Sequence, residues 1–248
     1  MFSRKGHSEA VSYAICAVLL SRDLPSTALF VAALLSTYIR PSALMNLALG
    51  DLVGPPPAEA QLGKHYVLLL APQERGERTK TNTFDETVIL DDTRHLALGP
   101  QLQQLKEFWR SQHPELDETE LDMLPFWPFK TRDLLPEWKA SVTELELNEW
   151  VKTPYEERHS GATRDILLSL RTREEVQRRG HWKSPSSLRN YEKAGRMAKL
   201  AEQVGALVMA SGEQTRLNFD TLFQSGVAKG QLGATSRAGA GSSGEYHL

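Results

Sequence analysis

Pro154-Tyr155-Glu156-Glu157-Arg158-His159-Ser160-Gly161-Ala162 is the stretch on which the reading of this chain turns. The stretch reads as standing at a helix start, with the helical pattern itself running over 159–170. Arg158 and His159 then stand at an element boundary, where side chains from separate segments converge. Three further stretches share that property. In Tyr38-Ile39-Arg40-Pro41-Ser42-Ala43-Leu44, Arg40 precedes a helix opened by Pro41, so its planar fork adds to a helix N-terminus, a good arrangement for a phosphodiester oxygen. Arg78-Thr79-Lys80-Thr81 falls in the turn between two apolar runs, and Gly180-His181-Trp182 is followed by Tyr191 in Asn190-Tyr191-Glu192-Lys193.

The surrounding pattern is mainly helical. Helices are predicted over 8–20, 26–38 and from Pro41 to near Gly50, and again over 100–112, 136–145, 159–170, 173–179 and 185–208. Residues 65–71 and 87–90 are rich in Val, Ile, Leu and Tyr and flank a polar, Gly-containing segment, which predicts strands of a small antiparallel sheet. The stretch 124–136 holds three prolines and several aromatics and reads as an ordered surface loop. The last seventeen or so residues are rich in Gly, Ala and Ser and read as a disordered tail.

Composition bounds the function classes. With 248 residues and 40% apolar content the chain is long enough for a real core. Its formal charge of −2 excludes a uniformly cationic protein, but between residues 152 and 199 there are twelve Lys or Arg against six acids, enough for a local phosphate-binding face. Cys16 is the single cysteine, so an internal disulfide and a Cys-based metal site are excluded. Residues 10–20 superficially resemble a signal peptide, but Arg22 and Asp23 follow and a second short apolar run comes next, which reads as two packed core helices too short to cross a bilayer. The expected location is therefore the nucleus in a eukaryote and the cytoplasm otherwise, with no secretion and no membrane partner.

Each element also has an ordinary structural reading: a surface arginine, a solvated turn lysine, a core tryptophan, a half-buried helix tyrosine. Their order and spacing carry the argument. The set resembles the catalytic domain of the tyrosine recombinase (phage integrase) superfamily over about residues 25–196. That family has an arginine before a helix in a G-L-R-x-S-E-L pattern, a lysine in a hairpin, an H-x-x-R-H box, and a His or Trp nine positions before the nucleophilic tyrosine. Trp182 stands nine positions before Tyr191.

The resemblance implies a mixed α+β, mainly α, integrase-like catalytic domain with a small antiparallel sheet. It implies that Arg40 and Arg158 clamp the scissile phosphate, Lys80 protonates the leaving oxygen, Trp182 supports the phosphate, and Tyr191 attacks to give a 3′-phosphotyrosyl link. The covalent link conserves the bond, so no cofactor and no metal is implied. Double-stranded DNA is the implied partner, with a homotetramer on paired sites and residues 194–209 as a segment passed to a neighbour. An origin in a mobile element, such as a retroelement, goes with the family. The chemistry asks for these groups independently: two guanidinium forks stabilise charge on the non-bridging oxygens, and a phenol needs nearby cations to ionise near neutrality. Arg164, Arg171, Arg173, Arg178, Arg179, Lys183 and Arg189 are expected to lie along DNA phosphates.

Two positions depart from the family pattern. Ala43 replaces the acid that would hold the first arginine, and Tyr155 replaces the histidine three residues before Arg158, keeping a hydrogen-bond donor but losing a neutral-pH base. The expected division is an N-terminal helical extension over 1–24, the catalytic domain over 25–209 and a C-terminal segment over 210–248. The short leading segment leaves either a fragment of a longer element or a domesticated copy. The rival readings are a recombinase-derived module that binds DNA without cutting it, and a non-enzymatic helical interaction domain.

Overall fold

Pro25–Thr37 reads Pro-Ser-Thr-Ala-Leu-Phe-Val-Ala-Ala-Leu-Leu-Ser-Thr, apolar on nearly every side, and a helix without a polar face must be surrounded. In the computed structural model, which describes residues 6–56, 63–76, 84–190 and 194–235, every residue of this helix is buried. It is the second of ten α-helices among the described residues: α1 (Glu9–Ser21), α2 (Pro25–Thr37), α3 (Pro41–Met45), α4 (Leu98–Gln112), α5 (Glu118–Asp122), α6 (Thr131–Glu144), α7 (Tyr155–Leu167), α8 (Arg173–Arg179), α9 (Ala194–Gln203) and α10 (Ala206–Ala228). Between α3 and α4 the strands β1 (Leu52–Val53), β2 (Val67–Leu70) and β3 (Glu86–Ile89) form an antiparallel sheet in the order β1-β2-β3. Val67 pairs with Val53 on one side and Ile89 on the other, which turns Leu68 and Val88 inward onto the core. The fold is thus mainly helical with a small antiparallel sheet, as the residue pattern predicts.

α1 and α7 pack on α2 and α10 packs on α1, and one apolar cluster runs through Ile15, Leu29, Phe30, Leu68, Leu102 and Phe223. Each such fully buried side chain contributes roughly 1.5–3 kcal/mol of transfer free energy. The expected extension over 1–24 supplies α1 to this same core, through Val11, Tyr13, Ile15, Cys16 and Leu19. Likewise α10 runs unbroken across the expected 209/210 boundary and lies against α1, where a Cβ on Gly212 would sit 1.8 Å from the Ala10 carbonyl oxygen. The packing therefore shows no seam at either boundary.

Several boundaries differ from the sequence reading. The single helix expected over 185–208 is a 3-10 turn at Pro185–Asn190 and then α9, and Gly205 separates α9 from α10. β1 and α5 were not visible as periodic runs, being two and five residues long. α5 is nonetheless set by a capping box, with the Glu120 amide donating to Asp117 at 2.8 Å and the Asp117 amide to Glu120 at 3.0 Å. The expected surface loop over 124–136 turns inward: Phe126, Trp127 and Phe129 are buried, and the Trp127 indole donates to the Leu44 carbonyl at 2.7 Å. Its end becomes the start of α6, which tolerates Pro136 inside the helix. Of the tail expected to be disordered, the last seventeen or so residues, Leu232 is buried against the core and 236–248 lies outside the described residues.

Candidate active site

The site begins where α2 ends. Tyr38 caps that helix in the left-handed conformation, φ 56°, its amide still bonded to the Leu34 carbonyl at 3.1 Å. That turn reverses the chain direction and leaves Arg40 extended at the N-cap of α3, ahead of Pro41, as the sequence predicts. Arg40 is half-buried. Ala43, at the position of the missing acid, packs against the core instead of offering a carboxylate.

Arg158 rises from the first turn of α7 into the same place. It is 2% exposed, donates Nη1 to the Tyr38 carbonyl and Nη2 to the Gly180 carbonyl at 2.6 Å, and its guanidinium lies 4.4 Å from the centre of the Trp182 ring. Trp182 is brought over it by a tight turn: His181 has φ 50°, and a Cβ on Gly180 would fall 1.9 Å from the indole. Only a residue without Cβ fits there. His181 faces Glu86 of β3, Nδ1 to carboxylate 3.6 Å. Burial lowers its pKa, and the positive charges of Arg158 and Arg40 push the same way against Glu86. His181 is therefore neutral near pH 7, and both arginines lie within its electrostatic reach. Arg158 and Trp182 are thus in contact, His181 beside them faces Glu86, and Arg40 stands two residues beyond the Tyr38 carbonyl that Arg158 holds.

Tyr155 opens α7, half-buried, its ring 5.4 Å from that of His159. Lys80 and Tyr191 lie outside the described residues. Leu188, three positions before Tyr191 in sequence, packs with Tyr38, Ala162 and Val176, against which Ile166 and Trp182 also rest.

The expected phosphate-binding run divides in two. Arg164 is 4% exposed and bonded to Glu9 at 2.8 Å, Asp92 at 2.8 Å and Asp165 at 2.7 Å. Burial lowers its pKa, but Asp92, Asp165 and Glu9 outweigh it and the net shift is upward. Arg171 pairs with Asp91 at 2.7 Å and Asp165 at 3.1 Å. Arg179 is buried, donating to the Ser36 carbonyl at 2.9 Å, the Ile89 carbonyl at 2.7 Å and Asp91 at 2.8 Å. Arg164 and Arg179 are thus buried and Arg171 half-buried, each matched by carboxylates or backbone carbonyls. A linear count of charges does not register which acids fold back on them. Arg173, Arg178 and Lys183 do lie on the surface, while the side chain of Arg189 falls outside the description.

Reading the sequence missed Tyr38 and the acids Glu9, Asp91, Asp92 and Asp165. The adjacent pair Asp91-Asp92 just after a strand was a visible signal, but its partners come from α7 and α8 and only the fold joins them. Of the segment expected to pass to a neighbour, Leu200 and Val204 are buried in the chain's own core, Met197 is half-buried and Leu207 is 87% exposed. Among the described residues no cluster of His, Cys, Asp and Glu could hold a metal ion, and no helix is long and apolar enough to cross a membrane.

No family model and no curated protein matches this sequence. Among solved structures it resembles XerH site-specific recombinase bound to palindromic difH substrate in a post-cleavage complex, with a TM-score of 0.53 and 14% identity over 81% of this chain and 53% of that one. It also resembles XerH bound to difH substrate in a pre-cleavage complex, with a TM-score of 0.52 and 15% identity over 79% of this chain and 52% of that one. The chain spans about half the length of those recombinase chains. With ten α-helices among its described residues and a small antiparallel sheet, the chain has a tyrosine recombinase-like fold.

Proposed function

We propose that this chain is a recombinase catalytic domain that cuts and rejoins duplex DNA, with Tyr191 as nucleophile. The observation that carries the proposal is the contact of Arg158 with Trp182, with Arg40 two residues beyond the Tyr38 carbonyl that Arg158 holds. Two guanidinium groups beside an indole suit a phosphodiester whose non-bridging oxygens gain charge during in-line attack. Attack by the Tyr191 phenolate on phosphorus forms the 3′-phosphotyrosyl bond and expels a 5′ oxygen, which Lys80 protonates; reversal by a 5′ hydroxyl restores the phosphodiester and the phenol. Tyr155 donates a hydrogen bond to a phosphate oxygen. Arg173, Arg178 and Lys183 add sequence-independent phosphate contacts, and assembly is as a tetramer on paired sites.

One observation favours a second reading, a recombinase-derived module that holds DNA without cutting it. Arg158 lies beneath Trp182 and gives both terminal nitrogens to backbone carbonyls, so a phosphate reaches it only if that cover shifts. Nicked suicide duplexes followed by denaturing electrophoresis separate the two. The first reading expects a protein–DNA adduct that resists denaturant, vanishes on protease digestion and is absent from Tyr191→Phe. Salt-dependent binding with no adduct establishes the second, and absence of DNA binding overturns both.

A further inference from the structure

We infer that Tyr38, which lies outside the set of reacting groups, is the positioning residue that sets Arg40, Arg158 and Trp182 relative to one another; this rests on the site proposed above. The Tyr38 backbone carbonyl accepts a hydrogen bond from Arg158 Nη1. Its ring stacks on Trp182, centroids 6.4 Å apart and planes inclined by 23°. Its left-handed φ of 56° makes the turn that delivers Arg40 two residues on. A tyrosine pays strain for that conformation, which glycine adopts freely, so its side chain has to offset the cost through contacts.

The side chain also fastens the site to a buried ion network. The Tyr38 hydroxyl donates to Asp165, which is itself held by Arg164 at 2.7 Å and Arg171 at 3.1 Å. Arg164 reaches on to Glu9 of α1 and Asp92 after β3, and the Arg179 guanidinium lies 5.5 Å from the Tyr38 ring. Burial, with the Asp165 charge beside it, raises the pKa of the phenol, so it stays a permanent donor. The residue is fully buried, which denies it any role as nucleophile. Through Tyr38, a buried ion network spanning α1, α7, α8 and the strand end fixes where two site arginines and the indole stand. Misplacing reacting groups by about 1 Å costs on the order of a hundredfold in rate, so such an anchor acts on chemistry more than on affinity.

The test uses the full chain labelled with fluorotryptophan, whose five tryptophans give five fluorine resonances, that of Trp182 being identified with Trp182→Phe. Tyr38→Leu is expected to move the Trp182 resonance while leaving the other four in place. It is expected to slow single-turnover adduct formation at least about tenfold, with duplex affinity held within about twofold. Tyr38→Phe, which keeps the ring and loses only the hydroxyl, is expected to restore most of both. If Tyr38→Leu fails to fold, all five resonances collapse and Tyr38→Phe decides, with a smaller shift confined to Trp182 expected. A Trp182 resonance unmoved in the folded variant, or rate and affinity falling together by one factor, overturns the inference. If the unsubstituted chain binds DNA but forms no adduct, the cleavage reading fails and the Trp182 resonance alone judges Tyr38.

Discussion

The Arg158 guanidinium lies 4.4 Å from the centre of the Trp182 indole, with Gly180 accepting one of its hydrogen bonds from beneath the same turn. A cation–π contact of this partly desolvated kind contributes roughly 1–2 kcal/mol. It also makes Trp182 the cover over the cation that the proposed chemistry needs most.

Replacing that cover therefore has opposite effects on stability and access. Trp182→Ala is expected to lower unfolding free energy by about 2–3 kcal/mol, measured by urea denaturation, from lost ring burial and the lost cation contact. The same variant should bind inorganic phosphate more tightly than the unsubstituted chain, read by calorimetry, because Arg158 gains an open face. Unchanged phosphate affinity counts against Trp182 as the barrier.

The internal and surface arginines should separate cleanly by assay. Arg164→Met removes the common partner of Glu9, Asp92 and Asp165, leaving Glu9 to Arg94 and Asp165 to Arg171, a loss of about 3–5 kcal/mol in stability. Arg178→Ala should leave stability within about 0.5 kcal/mol and lower the slope of log Kobs against log salt for duplex binding by about one. The reverse pattern would return Arg164 to the phosphate track.

A buried pair at the start of the described chain predicts a pH dependence. His7 is 1% exposed, 3.2 Å from the fully buried Glu157. Burial acts to lower its pKa, but the Glu157 charge and hydrogen bond, aided by Glu156, outweigh it and raise the value above 6.5. A raised histidine stabilises fully below its unfolded value and loses that contribution as pH climbs through its folded value. Melting temperature should thus fall above about pH 6.5, and His7→Gln should flatten that fall. His95 and His181 are shifted downward and act below this window, where stability drops as pH falls. A His7→Gln curve parallel to the original above pH 6.5 would remove the pair from the account.

The docking of α10 on α1 depends on a position with no room. At Gly212 a Cβ would meet backbone, the Ala10 carbonyl oxygen at 1.8 Å, so neither helix yields by rotating a side chain. Gly212→Ala is expected to cost about 1–3 kcal/mol despite the better helix propensity of alanine, measured by thermal or urea unfolding. A stabilised variant would mean that α10 does not rest on α1 in solution.

What the sequence determined by itself is local. The apolar run of α2, the proline-opened helices at Pro41 and Tyr155, the β-rich runs either side of residues 77–83 and the nine-residue spacing from Trp182 to Tyr191 are all written in adjacent residues. Periodicity and turn chemistry act over a few residues, so they are legible in a single chain. Tertiary structure decided which charges face water. Arg164 and Arg178 look alike in a linear count, yet one meets acids from Glu9 and Asp92, more than seventy residues away along the chain, and the other remains on the surface. It also decided that Tyr38, an unremarked residue at a helix end, would hold Arg158 by its carbonyl and Trp182 by its ring. Burying an ion costs several kcal/mol unless its partners are in place, and those partners are gathered only when the helices pack.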